Sequence, residues 1–102
     1  MAKLSLSARG AIRQFAFWVA NRSVGHPLLN GIDYTCIFEE PSAMEQAFAI
    51  FVNVLEFDAN ERVLNFKHAE RRAAQSIRAY CDPEYQVEPP FEAWEVELPF
   101  TP

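Results

Sequence analysis

Three glycines, two cysteines and two histidines in 102 residues are a thin supply of the residue types from which most small catalytic sites are built. So few glycines leave little backbone for cradling a phosphate, and neither a GxSxG elbow nor an HExxH metal pair is present. Cys36 and Cys81 have neither CxxC nor zinc-ligand spacing, so no metal site and no cofactor is expected. Both thiols read as reduced and buried, in a cytoplasmic protein. Long apolar runs are missing too. In the first helical stretch the run Phe15 to Ala20 falls far short of the roughly 20 residues a membrane span requires. Lys3, Arg9 and Arg13 precede that run, but it is too brief for a secretory signal and is followed by Asn21 and Arg22. Residues 1–32 contain no acidic side chain, as mitochondrial presequences do. Removing them would strip Phe15, Trp18 and Val19 from a small core, so they are read as part of the fold.

What is present is apolar surface: 50% of the residues are hydrophobic and 14% aromatic. That is enough for residues 1–102 to form a single domain without disulfide or metal support. Ser5 or Ser7 can cap a first helix to about Asn21, with Ala8, Ala11, Ile12, Phe15, Trp18 and Val19 on one face. Gly25, His26-Pro27 and Asn30-Gly31 then mark a loop, leading to a short strand through Tyr34, Cys36 and Phe38 that Pro41 stops. Ser42 stands three residues before Glu45, the spacing of a capping box. The helix it opens runs to about Glu56, with Met44, Ala47, Phe48, Phe51 and Leu55 on one stripe and Ile50, Val54 and Phe57 on another. Apolar on two sides, it is the expected central helix.

A break at Asp58, Ala59 and Asn60 follows, and Asn65 can cap a last helix through Tyr80. Phe66, Ala69, Ala73, Ile77 and Tyr80 form its buried stripe, with Lys67, Glu70, Arg71, Arg72 and Arg78 on the wet faces. Asp82-Pro83 ends it. Trp94, Val96, Leu98 and Phe100 then alternate with Glu95, Glu97 and Pro99, the period of a half-buried strand. Because a lone strand is unstable, it is paired with the strand around Cys36. The expected fold is therefore α+β: three helices around the Ser42 to Glu56 helix, with a two-stranded antiparallel pair that includes a C-terminal strand.

Charge is the one organised feature. Residues 1–22 carry four basic and no acidic side chains, residues 23–61 seven acidic and no basic ones, and residues 62–78 five basic against Glu70. Residues 79–102 carry six acids and no base, so most of the net charge of −5 lies after Arg78. The plain explanation is that the blocks screen one another on a solvated surface, where ion pairs are worth about 0–1 kcal/mol each. The sharper one is an acidic face for a protein partner with a basic surface. Its residues would be Glu84, Tyr85, Glu88, Phe91, Glu92, Trp94, Glu95 and Glu97, the aromatics serving as anchors; Asp82 extends the charge. A thiol from Cys36 or Cys81 with His68 or His26 as base is the only catalytic pairing available, and Cys81 at a helix C-terminus has the dipole against it. Lys67, Arg71, Arg72 and Arg78, with Arg22 and Arg62, could face a nucleic acid, but a pI near 4.9 disfavours it.

The segments Phe38-Glu39-Glu40-Pro41 and Glu88-Pro89-Pro90-Phe91, with the stretches around them, resemble a family of short uncharacterised bacterial proteins. The resemblance covers most of the chain, implies a bacterial cytoplasmic origin and carries over no catalytic or binding residue. The leading expectation is thus a non-catalytic acidic binding protein, for example an immunity- or antitoxin-type inhibitor. The alternative is a small-molecule-binding or enzymatic domain using a Cys/His pair, and a homodimer built on the aromatic surplus is the third reading.

Overall fold

A computed structural model describes residues 26–31, 33, 35–60 and 62–97. The helix expected between Ser5 and Asn21 lies outside them. A turn at residues 27–31 closes with a hydrogen bond from the Leu29 N–H to the His26 carbonyl (2.9 Å). It leaves through Gly31, whose φ of +81° lies in the left-handed region that only glycine enters freely. The turn expected at Asn30-Gly31 is there, but no strand follows it. Thr35–Glu39 is a 3-10 helix, with Ile37 fully buried.

Helix α1, Pro41–Val54, begins two residues earlier than a capping box with Ser42 as N-cap places it. Proline at the first helical position has its φ preset and lacks an N–H that would be unpaired there anyway, so Pro41 starts this helix instead of merely ending what precedes it. Glu40 is therefore the N-cap, and the Ser42 hydroxyl donates to Glu40 Oε1 (2.8 Å) instead of closing a box with Glu45. Ala47, Ala49, Ile50, Phe51 and Val54 are its buried residues. Past its end, Asn65 joins two elements: its Nδ2 donates to the Val54 carbonyl (2.8 Å) and its Oδ1 accepts the Glu56 N–H (2.7 Å). That engagement explains why Asn65, although the N-cap residue of α2, makes no side-chain cap there. Between the helices Asp58 Oδ1 accepts the N–H groups of Asn60 and Arg62, and Phe57 and Val63 form an isolated antiparallel bridge.

Helix α2, Phe66–Cys81, packs against α1 through small residues. Ala69, Ala73 and Ala74 on α2 and Ala47 on α1 are all buried in one cluster with Ile50, Phe51 and Ile77, small side chains that let the backbones approach. Phe51 meets Phe66 edge to face, centroids 5.6 Å apart. Tyr80 and Phe57, expected inside, are exposed. A short helix α3, Ala93–Val96, ends the described chain and contacts α1.

The α+β expectation is overturned. Among the described residues there is no β-strand, and the proposed antiparallel pair is a 3-10 helix and a turn of α-helix. The alternation that suggested a strand places Trp94 inward and Glu95 outward, whereas the structure does the reverse: Trp94 is 51% exposed and Glu95 only 5%. A helical turn satisfies the backbone of this segment locally. Glu95 Oε1 accepts the Glu92 N–H (3.0 Å), half of a capping box whose other half is the Glu92 side chain. Leu98 and Phe100, the rest of that alternation, lie outside the described residues.

Candidate functional site

The segment 82–97 runs back along α2, and one side chain organises its return. Arg72, expected on a wet face, is 3% exposed, and all five of its N–H donors have acceptors. Nε and Nη2 donate to the two oxygens of Glu95 (2.9 and 3.0 Å), and Nη1 donates to Gln75 Oε1 (2.8 Å) and the Pro89 carbonyl (2.9 Å). Nη2 also reaches the Pro90 carbonyl at 3.5 Å. The guanidinium lies 4.5 Å over the Phe91 ring centroid. The planar fork of arginine suits this set of acceptors, which a lysine ammonium could not match.

Two amides complete the anchorage. Gln75 Nε2 donates to the Tyr85 hydroxyl (3.3 Å) and the Glu88 carbonyl (3.2 Å). From α1, Asn53 Nδ2 donates to the carbonyls of Glu95 (3.0 Å) and Glu97. Nearer the end of α2, Arg78 stacks over Tyr85 (5.0 Å to the centroid), pairs with Asp82 (3.8 Å) and donates to the Leu28 carbonyl (2.9 Å). The acidic segment therefore does fold back on a basic helix.

Arg72 hydrogen bonds hold the Glu95 carboxyl below the ordinary glutamate value of 4.5, against the opposing effect of burial. The Glu92 N–H and the charges of Arg72 and His68 add to the lowering. A carboxyl whose folded pKa is depressed contributes stability above its unfolded value and loses it as pH falls through the folded one. Urea midpoints of the wild type are thus expected to fall more steeply with acidification below about pH 5 than those of Glu95→Gln, the slopes being compared by circular dichroism. Parallel slopes would show that Glu95 does not supply this dependence.

Of the eight residues read as a partner surface, three turn inward. Glu95 is buried against Arg72, Phe91 is half-buried beneath the same guanidinium, and Tyr85 is half-buried between Gln75 and Arg78. The exposed members are Glu84, Glu88, Glu92, Trp94 and Glu97. Trp94 Nε1 donates to Glu92 Oε2, fixing the indole beside that carboxylate. Among the described residues the ion pairs are Arg72–Glu95 and Arg78–Asp82, so none of these four exposed glutamates is paired there. A shallow depression of about 260 Å³ lies alongside, lined by His68, Arg72, Pro89, Pro90, Glu92, Trp94 and Glu95.

The other pairings suggested by composition fare differently. His68 is in the first turn of α2 and Cys81 is its last residue. At 1.5 Å per residue these positions are about 20 Å apart along the helix, which separates that thiol from that base. His26 Nδ1 accepts the Leu28 N–H (3.1 Å), and its pKa is lowered by burial and by the Arg71 charge. Burial, a hydrogen bond with Cys36 and the charges of Cys36 and Asp33 push the Cys81 thiol up to about 12. Cys36 is exposed and Cys81 half-buried, which corrects the expectation of two buried thiols. Their sulfurs lie 3.4 Å apart. Among the described residues no group of three or more His, Cys, Asp or Glu side chains could hold a metal ion, and no helix is long and apolar enough to cross a membrane. Of the basic cluster on α2, Arg72 is consumed internally and Arg78 is half-buried, leaving Lys67 and Arg71 exposed.

Sequence reasoning missed Arg72, Gln75 and Asn53. The signal for the first was spacing: Arg72 stands three residues after Ala69 and four before Ser76, on a face whose other members are buried. No curated protein and no solved structure matches the chain significantly. A family model described as a domain of unknown function, DUF7677, matches residues 3–99, and the chain belongs to that family.

Proposed function

We propose that this protein is a non-catalytic binding module whose segment 82–97 engages a protein partner with a basic surface, in the manner of an immunity- or antitoxin-type inhibitor covering a cleft meant for nucleic acid. The observation that carries this reading is Trp94. A large aromatic side chain left half in solvent is held in place by a hydrogen bond to Glu92, on a helical turn that is itself anchored by a buried ion pair. Ordering an anchor before binding removes part of the entropy loss on association. The exposed carboxylates of Glu88, Glu92 and Glu97 on the same segment supply a field that attracts and orients a cationic surface.

The roles of the glutamates separate by position. Glu88 and Glu97 leave their carboxylates to a partner, Glu92 caps α3 and holds the Trp94 indole, and Glu95 serves the fold. Charge reversal at the two free carboxylates, Glu88→Lys with Glu97→Lys, is expected to slow association by about tenfold at low ionic strength and to reduce its salt dependence. Trp94→Ala is expected to accelerate dissociation by about tenfold or more, as for a central aromatic anchor. Glu45→Lys, an exposed reversal on α1, is the control. The measurement is surface plasmon resonance against the protein that co-purifies with the tagged chain from its native cells. A partner bound equally well by all of these variants would overturn the reading.

A further inference from the structure

We infer that Cys36 and Cys81 form a redox-sensitive clamp, a dithiol that closes to an intramolecular disulfide on meeting a low-molecular-weight disulfide. The two cysteines are 45 positions apart in the chain, yet their sulfurs are in contact at 3.4 Å. An S–S bond is about 2.0 Å long, so the sulfurs need approach by only about 1.4 Å. Both ends of the pair are attached to anchored structure. Cys36 precedes Ile37, which is fully buried and fixes the 3-10 helix, and Cys81 is the last residue of the longest described helix. One sulfur is open to reagent: Cys36 is exposed and Cys81 half-buried.

The order of events follows from that asymmetry. The Cys36 thiolate attacks one sulfur of the small disulfide RSSR, forming a Cys36–S–SR mixed disulfide and expelling RS⁻, which takes up a proton. Cys81 keeps its proton while Cys36 faces it, since burial, the Cys36 hydrogen bond and the Cys36 and Asp33 charges all oppose its ionisation. Formation of the mixed disulfide removes both effects of Cys36. The Cys81 thiolate then attacks Cys36 Sγ, forming the Cys36–Cys81 bond and releasing the second RS⁻. In sum, two protein thiols are oxidised, one small disulfide is reduced to two RSH, and the two protein protons end on those thiols. The pair thus passes between an open dithiol and a closed disulfide. When closed it would tie the entry to α1 to the end of α2, beside the exposed Tyr80.

The test uses the folded full chain and oxidised glutathione, with peptide mapping by mass spectrometry and thermal melts before and after. The expected result is a monomer lighter by two hydrogens, a Cys36–Cys81 crosslinked peptide, and a melting temperature raised by about 10 °C and restored by dithiothreitol. Cys81→Ser should leave Cys36 as a glutathione adduct and Cys36→Ser should leave the half-buried Cys81 free, neither with that rise. The inference is overturned if both wild-type thiols stay free, if both carry glutathione, if the bond forms between chains, or if the crosslink lowers the melting temperature.

Discussion

Replacing Arg72 by methionine is expected to destabilise the protein by about 3–5 kcal/mol, measured by urea denaturation at neutral pH, because it leaves the Glu95 carboxylate buried without its counter-ion. Glu95 is only 7% exposed in its side chain, and Arg72 supplies both of the charged donors that bind it. The same change strands the buried Gln75 Oε1 and removes the donor to the Pro89 carbonyl, which is on an exposed residue and can turn to water. The size of the loss does not measure what the intact ion pair contributes. Desolvating two charges offsets most of their attraction, so the pair is close to neutral relative to a well-packed apolar pair. Arg72→Met combined with Glu95→Leu should therefore recover more than half of the stability lost in Arg72→Met alone. A double variant no more stable than the single one would show that the backbone acceptors, not the carboxylate, determine the effect.

Phe51→Ala carries the second large effect, about 3–5 kcal/mol. Phe51 is fully buried where α1 faces α2, and it contacts Phe66 edge to face. The core cluster to which it belongs includes the already small Ala47, Ala73 and Ala74, which cannot grow into vacated space. Because a domain of this size is stable by only about 5–15 kcal/mol, the variant should lose a large part of its margin. Phe51→Leu, which keeps most of the volume, should cost about 1 kcal/mol, and equal losses for the two would indicate that the site can collapse.

The two helices that build the described core were legible because their apolar residues recur at helical spacing. The expected Ser42 to Glu56 helix is Pro41–Val54, and the one read through Tyr80 is Phe66–Cys81. What misled at the first boundary was proline chemistry: Pro41 is compatible with both the end of one element and the first turn of the next, and the nearby Ser42 and Glu45 offered a rival start. The candidate surface was legible as composition, acidic and aromatic after Arg78, but its orientation was not. Hydrophobic alternation treats every glutamate as solvent-facing, and Glu95 is inside because a buried arginine 23 positions earlier makes that favourable. Nothing in either local pattern links Arg72 with Glu95. The same holds for Cys36 and Cys81, whose neighbourhood depends on how the 3-10 helix meets the end of α2.

The central claim is that segment 82–97 is an ordered face held on α2 by Arg72, not a loose acidic tail. Native-state hydrogen exchange read by mass spectrometry tests it most directly, in the wild type and in Arg72→Met. Wild-type amides that bond within the segment, those of Tyr85 to Asp82 and Glu95 to Glu92, should exchange at least about tenfold more slowly than in an unstructured peptide. In Arg72→Met that protection should vanish across residues 85–97 while α1 and α2 keep theirs. Segment 82–97 exchanging freely in the wild type, or staying fully protected in Arg72→Met, would contradict it.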